Sequence, residues 1–86
     1  MEDTRISLTL HAMGVIEERQ IALEWIARVV AEPALLLADQ TDPSLVHAFG
    51  RVPEREGRVL RVVYNPGADY VLVVTAFFDR SMKGKL

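Results

Sequence analysis

The sequence has no cysteine. No disulfide can staple the fold and no thiolate can hold zinc, which fits a reducing, cytoplasmic setting. Histidine is almost as scarce. His11 and His47 stand far apart in the chain, too thin a set to suggest a metal site, and no cofactor is expected. The P-loop, the dinucleotide-binding glycine motif, the zinc-protease helix motif and the nucleophile elbow are all missing. No apolar run approaches the ~20 residues of a membrane span, so no membrane association is expected. Glu2 and Asp3 interrupt the start of the chain, and no signal peptide is expected. Basic charge is not in excess either. The net charge is −2, which argues against a general nucleic-acid binder.

What is present suits a small globular unit. The 86 residues are 50% hydrophobic, too apolar for a disordered chain. They predict one domain over 1–86, with an ordered core at about residues 5–80 and a frayed tail at 81–86. Charge is unevenly spread. Residues 1–42 carry three arginines against eight carboxylates, a balance of −5, and residues 43–86 carry seven Lys/Arg against four, a balance of +3. The later strands and tail are thus expected to carry a basic surface.

The strongest local signal is a β-hairpin over residues 58–79. Two runs rich in valine, leucine and aromatics flank Asn65, Pro66, Gly67, Ala68 and Asp69, all turn formers. If Tyr64 opposes Tyr70, Val62 faces Leu72 and Leu60 faces Val74, on one face with Ala76 and Phe78. The other face carries Val59, Arg61, Val63, Val71, Val73, Thr75 and Phe77, and ends in Asp79. Both faces are apolar, which predicts a central position in the sheet, with helices over the first face. Arg61 lies diagonally beside Thr75 on the second. It is either an arginine with its stem along apolar surface or an anion-reading group on an open face.

Before the hairpin, residues 5–10 alternate as a half-buried strand, and Ala12–Glu18 is a short helical segment. A stronger helical signal spans Ile21–Ala31, with Leu23, Ile26 and Val30 on one stripe and Trp25 and Val29 beside it. Glu24 and Arg28 form an i,i+4 pair, and Pro33 ends the segment. The polar stripe Glu17, Gln20, Glu24, Arg28 also suits one continuous helix, so one helix or two stays open. Ala34–Ala38 reads as a short strand and residues 39–44 as a turn. Leu45–Val52 reads as a further strand, interrupted by Gly50 and presenting an exposed edge.

Few residues offer chemistry. Glu17 and Glu18 diverge around a helix and cannot converge as an acid–base pair. His11, at the strand-to-helix junction, is a candidate general acid or base, or else a structural histidine bonded to a carbonyl. His47 and Tyr64 read as packing residues. Arg80, just past the last strand, is an exposed arginine or a phosphate contact. A small-ligand cleft near His11 and Trp25 lacks a convergent polar set.

His11-Ala12, then Glu18-Arg19-Gln20-Ile21, then a helix ending at Glu32-Pro33, followed by Leu60-Arg61-Val62-Val63-Tyr64 and Val73-Val74-Thr75, form an ordered set. That set resembles a family of small bacterial domains of unknown function, and is similar to the BrnT and RelE/ParE-type toxins of toxin–antitoxin modules. The resemblance implies an α+β fold in β-α-α-β-β-β-β order, with two helices on one face of a twisted antiparallel sheet. It implies a metal-independent ribonuclease acting on RNA at the ribosome, with His11 and Arg61 catalytic. Arg19 is matched by the motif as a substrate contact, and Thr75 and Arg80 are added as substrate contacts by their positions rather than by the motif. The alternative is a non-catalytic interaction domain, either a homodimer or the partner of an antitoxin-like protein. The chain departs from such toxins in being slightly acidic and in lacking a dense C-terminal cluster of cations. The catalytic reading requires His11, Arg61 and Arg80 to meet in one solvent-facing hollow.

Overall fold

The computed structural model describes residues 5–67 and 69–86. In chain order they form β1 (Ile6–Leu8), α1 (Leu10–Glu18), α2 (Leu23–Ala31), β2 (Leu35–Ala38), β3 (Val46–Val52), β4 (Arg58–Pro66) and β5 (Val71–Phe78). Two 3-10 turns, Pro53–Arg55 and Arg80–Met82, follow β3 and β5. The five strands make one sheet in the order β1-β5-β4-β3-β2. The α+β class and the element order are those the sequence predicts. The sheet is mixed rather than wholly antiparallel, because β1 runs parallel to β5. No helix among the described residues is long and apolar enough to cross a membrane.

Residues 10–31 form two helices rather than one, and the reason is local. Thr9 caps α1, its hydroxyl accepting the Ala12 N–H at 3.0 Å. The helix stops at Arg19, and Gln20 takes a left-handed conformation with φ 55° that no helix continues. In α2 the buried stripe is Ile26, Val29 and Val30; Leu23 turns outward and is 51% exposed. Arg28 reaches across to Glu54 at 2.8 Å.

The hairpin occupies the interior of the sheet, between β1 and β3, but its register differs from the expected one. Val62 pairs with Ala76 and Leu60 with Phe78, and the ladder closes at Pro66 and Val71. Val63 pairs with Thr75 while Tyr64 pairs with Val73, so Val74 is the extra residue of a β-bulge. One extra residue inverts the alternation beyond it. Val71 and Val73 therefore turn toward the helices, where both are buried, and Leu72 turns away with Ser7 of β1.

The core between helices and sheet joins Ala12, Ile26, Val29 and Val30 to Ala48, Val52, Leu60, Val62, Val73 and Ala76. Gly50 is what lets α2 approach. A Cβ there would stand 3.0 Å from Cγ2 of Val29, so the interruption in β3 is a packing requirement. Past β5 the chain continues through the last residues described. There Arg80–Met82 form the second 3-10 turn, and Arg51 Nη2 donates to the Leu86 carbonyl at 2.9 Å.

Candidate functional site

The sheet face away from the helices carries one continuous chain of polar side chains set in apolar surface. Register fixes its layout. Leu35, Phe49, Arg61 and Phe77 lie in one row across β2, β3, β4 and β5, and Leu37, His47, Val63 and Thr75 lie in the next. His47 is diagonal to Arg61, within reach of a long side chain.

Arg61 is the centre. Its Nε donates to His47 Nδ1 at 2.9 Å and its Nη1 to Asp79 Oδ2 at 2.8 Å. The guanidinium carbon lies 4.8 Å from the Phe49 ring centroid and 5.7 Å from that of Phe77. Phe49 is only 1% exposed although it faces away from both helices, so Arg61 and its neighbours serve as its cover. Nη2 has no side-chain or backbone partner among the described residues, and the Arg61 side chain keeps 29% of its exposure. The guanidinium is thus fixed by two hydrogen bonds over the Phe49 ring while its side chain stays partly exposed.

Both of its holders are themselves held. His47 Nε2 lies 2.6 Å from Asp39 Oδ1. Because Nδ1 accepts from Arg61, Nε2 must carry the imidazole proton and donate it to Asp39. That bond, with the N–H groups of Asp42 and Thr41 and the Thr41 hydroxyl, holds the Asp39 carboxyl well below the usual carboxylate range. Asp79 is held low in the same way, first by the Ser81 hydroxyl at 2.6 Å and then by Arg61. The sequence Asp39–His47–Arg61–Asp79 thus runs from the turn after β2 to the end of β5 with every link hydrogen-bonded.

At the β5 end the face opens into a hollow of about 420 Å³. Arg51, Arg58, Arg80 and Lys83 line it, against Glu56 and Asp79. Four cations to two carboxylates make this the basic surface that the charge asymmetry predicts.

The sequence-predicted residues divide between the two sides of the sheet. Arg61 and Thr75 share the open face, and Arg80 borders the hollow at its end. His11 is exposed on α1 and Arg19 is exposed at its C-terminus, both in the helical layer. The sheet therefore separates His11 from Arg61, and the expected shared hollow does not form. Trp25 packs edge-on against Phe78 at 6.4 Å beneath Arg55, so it lines no ligand cleft beside His11. Sequence reading missed Asp39 and His47. Alternation along β3 places His47 beside Phe49, but Asp39 joins them only through the β2–β3 register, which the sequence does not give.

A two-layer α+β domain with one face of its sheet left open, carrying a clamped arginine, is the class these features define. The family model described as "Domain of unknown function (DUF4258)" matches residues 8–78, and the chain belongs to that family. No curated protein and no solved structure matches it.

Proposed function

We propose that the chain is an RNA-directed protein of the RelE/BrnT toxin kind, whose open sheet face holds the phosphodiester backbone of single-stranded RNA. The observation that carries this reading is the Arg61 guanidinium, fixed by His47 and Asp79 with Nη2 unpaired among the described residues, beside a hollow lined by Arg51, Arg58, Arg80 and Lys83. A planar donor fork suits a phosphate, and cations along one groove suit a strand that carries one at every step. Phe77, half-buried beside Arg61, offers a ring edge near the same path.

Cleavage makes further demands. In a metal-independent reaction the ribose 2′-oxygen attacks phosphorus and the 5′-oxygen leaves, so one proton is removed and another delivered. Both nitrogens of His47 are committed to Arg61 and Asp39, and His11 lies across the sheet. The reading therefore assigns this face to binding, with His47 positioning Arg61.

The test is fluorescence anisotropy of a labelled single-stranded RNA of about ten nucleotides at low salt, with gel analysis of the same RNA for cleavage. Arg80→Ala and Lys83→Ala, both exposed, should each weaken binding roughly 5- to 10-fold and reduce the salt dependence by about one counterion. Absence of binding at roughly 50 mM salt overturns the reading.

A further inference from the structure

β2 is one of the two edge strands of the sheet. Among the described residues β2 pairs with β3 alone, so one side of its backbone meets no other described strand. The phase of the ladder shows which groups are free. Asp39 N–H donates to the Leu45 carbonyl at 3.0 Å, making 39/45 a hydrogen-bonded pair, and alternation makes Leu37/His47 and Leu35/Phe49 the next two. Leu36 and Ala38 therefore point their N–H and C=O groups outward. Edge strands are commonly blunted by lysine, proline, a bulge or a covering segment. Between Leu35 and Ala38 there is no charge, no proline and no register shift. Leu36, on the helix side, is 51% exposed, and Leu37, on the open side, is 48% exposed.

The stretch of chain that carries β2 is acidic, and Arg28 and Arg51, the two cations that line a shallow hollow with Glu32, are bonded elsewhere, to Glu54 and to the Leu86 backbone oxygen. From Val29 to Gly50 the chain has no lysine or arginine and carries Glu32, Asp39 and Asp42. Glu32 and Asp42 are exposed, one before the strand and one after it. A second copy adding its own β2 antiparallel would bring these like charges to both ends of a short junction. A basic strand would meet opposite charge at the same places.

We infer that the outer edge of β2 is a strand-addition site for an extended segment of a different protein, apolar at its centre and flanked by lysine or arginine. The outward N–H and C=O of Leu36 and Ala38 take the partner's backbone, and Leu36 and Leu37 contact its apolar side chains on the two faces of the sheet. Glu32 and Asp42 receive its basic ends. This surface is separate from the basic hollow, and the inference stands independently of RNA binding.

The test is selection of displayed random peptides of about ten residues on the folded chain, with counter-selection on Leu36→Pro. Proline at 36 deletes an outward N–H without touching the β3 ladder, so the fold is retained while the edge is blocked. Peptides enriched on the unaltered chain are expected to carry a short apolar run between Lys/Arg residues. They should lose roughly tenfold or more in affinity with Leu36→Pro. Glu32→Lys, on an exposed side chain, should weaken the same peptides by several-fold even if Leu36→Pro fails to fold. RNA binding should be unchanged by Leu36→Pro, which alters no charge. Neutral or acidic winners, no enrichment over the counter-selection, or sedimentation showing a stable dimer of the chain alone would each overturn the inference.

Discussion

Arg61 covers Phe49. The guanidinium carbon stands 4.8 Å from the ring centroid, and the ring is 1% exposed on a face that no helix reaches. An arginine with its stem along apolar surface and an arginine presenting a donor edge are therefore one arrangement. Replacing it by alanine uncovers Phe49 and leaves His47 Nδ1 and the Asp79 carboxylate short of a donor. Arg61→Ala should cost about 2–3 kcal/mol of stability, from the lost charged hydrogen bonds and the lost stacking. Arg61→Lys, which keeps charge but not the fork, should lie between the two. Urea unfolding of the three proteins checks the order; equal midpoints would remove the clamp from the account.

Gly50 of β3 and Val29 of α2 make a close approach of helix to sheet. A Cβ on residue 50 stands 3.0 Å from Val29 Cγ2, and Val29 is buried in a close-packed core. Gly50→Ala should destabilise by about 1–2 kcal/mol through overpacking. Adding Val29→Ala removes the clash, so the double variant should be more stable than the sum of the two single effects predicts. Additive losses in a double-mutant cycle would place the strain elsewhere.

The large elements were legible because their signals are local. The hairpin, the α2 stripe and the Pro33 stop each depend on residues a few positions apart. Legibility ended where one residue changes parity. The bulge at Val74 sends Val71 and Val73 to the core, and nothing in a run of valines distinguishes the residue that will be skipped. Gly50 looked like a defect of β3 because the reason for it, Val29, is on another element. The site was half legible. Arg61 and Thr75 emerged from alternation alone, whereas Asp39 and His47 needed the β2–β3 register. His11 was misplaced relative to Arg61 because a strand-to-helix junction does not say on which side of the sheet the helix will lie.

His47 is assigned one tautomer by its two partners. With Nδ1 accepting from Arg61 and Nε2 donating to Asp39, nitrogen-15 NMR of the imidazole should show an unprotonated Nδ1 and a protonated Nε2 at neutral pH. Arg61→Ala frees Nδ1 and should let the opposite tautomer appear. A protonated Nδ1 in the unaltered protein would contradict the Arg61 bond and, with it, the positioning role.

Acid should unfold the protein through its two clamped carboxylates. Asp39 is held low first by His47 and then by the turn N–H groups, and Asp79 first by the Ser81 hydroxyl and also by Arg61. In the unfolded chain both return to about 3.9. A folded-state value below the unfolded one means that the unfolded chain binds more protons in between, so stability rises with pH across that window. The contribution is fully present above about pH 5 and declines as pH falls through the folded values. Tyr64 acts at the other extreme. Burial pushes its phenol up, so its contribution is present below about pH 10, the unfolded value, and is lost as pH rises beyond it. Urea midpoints measured from pH 7 down to about 2 should therefore fall along an acid limb, and Asp39→Asn with Asp79→Asn should lower the neutral plateau while flattening that limb. An acid limb of unchanged steepness in the double variant would show that other carboxylates, outside the Arg61 chain, drive the transition.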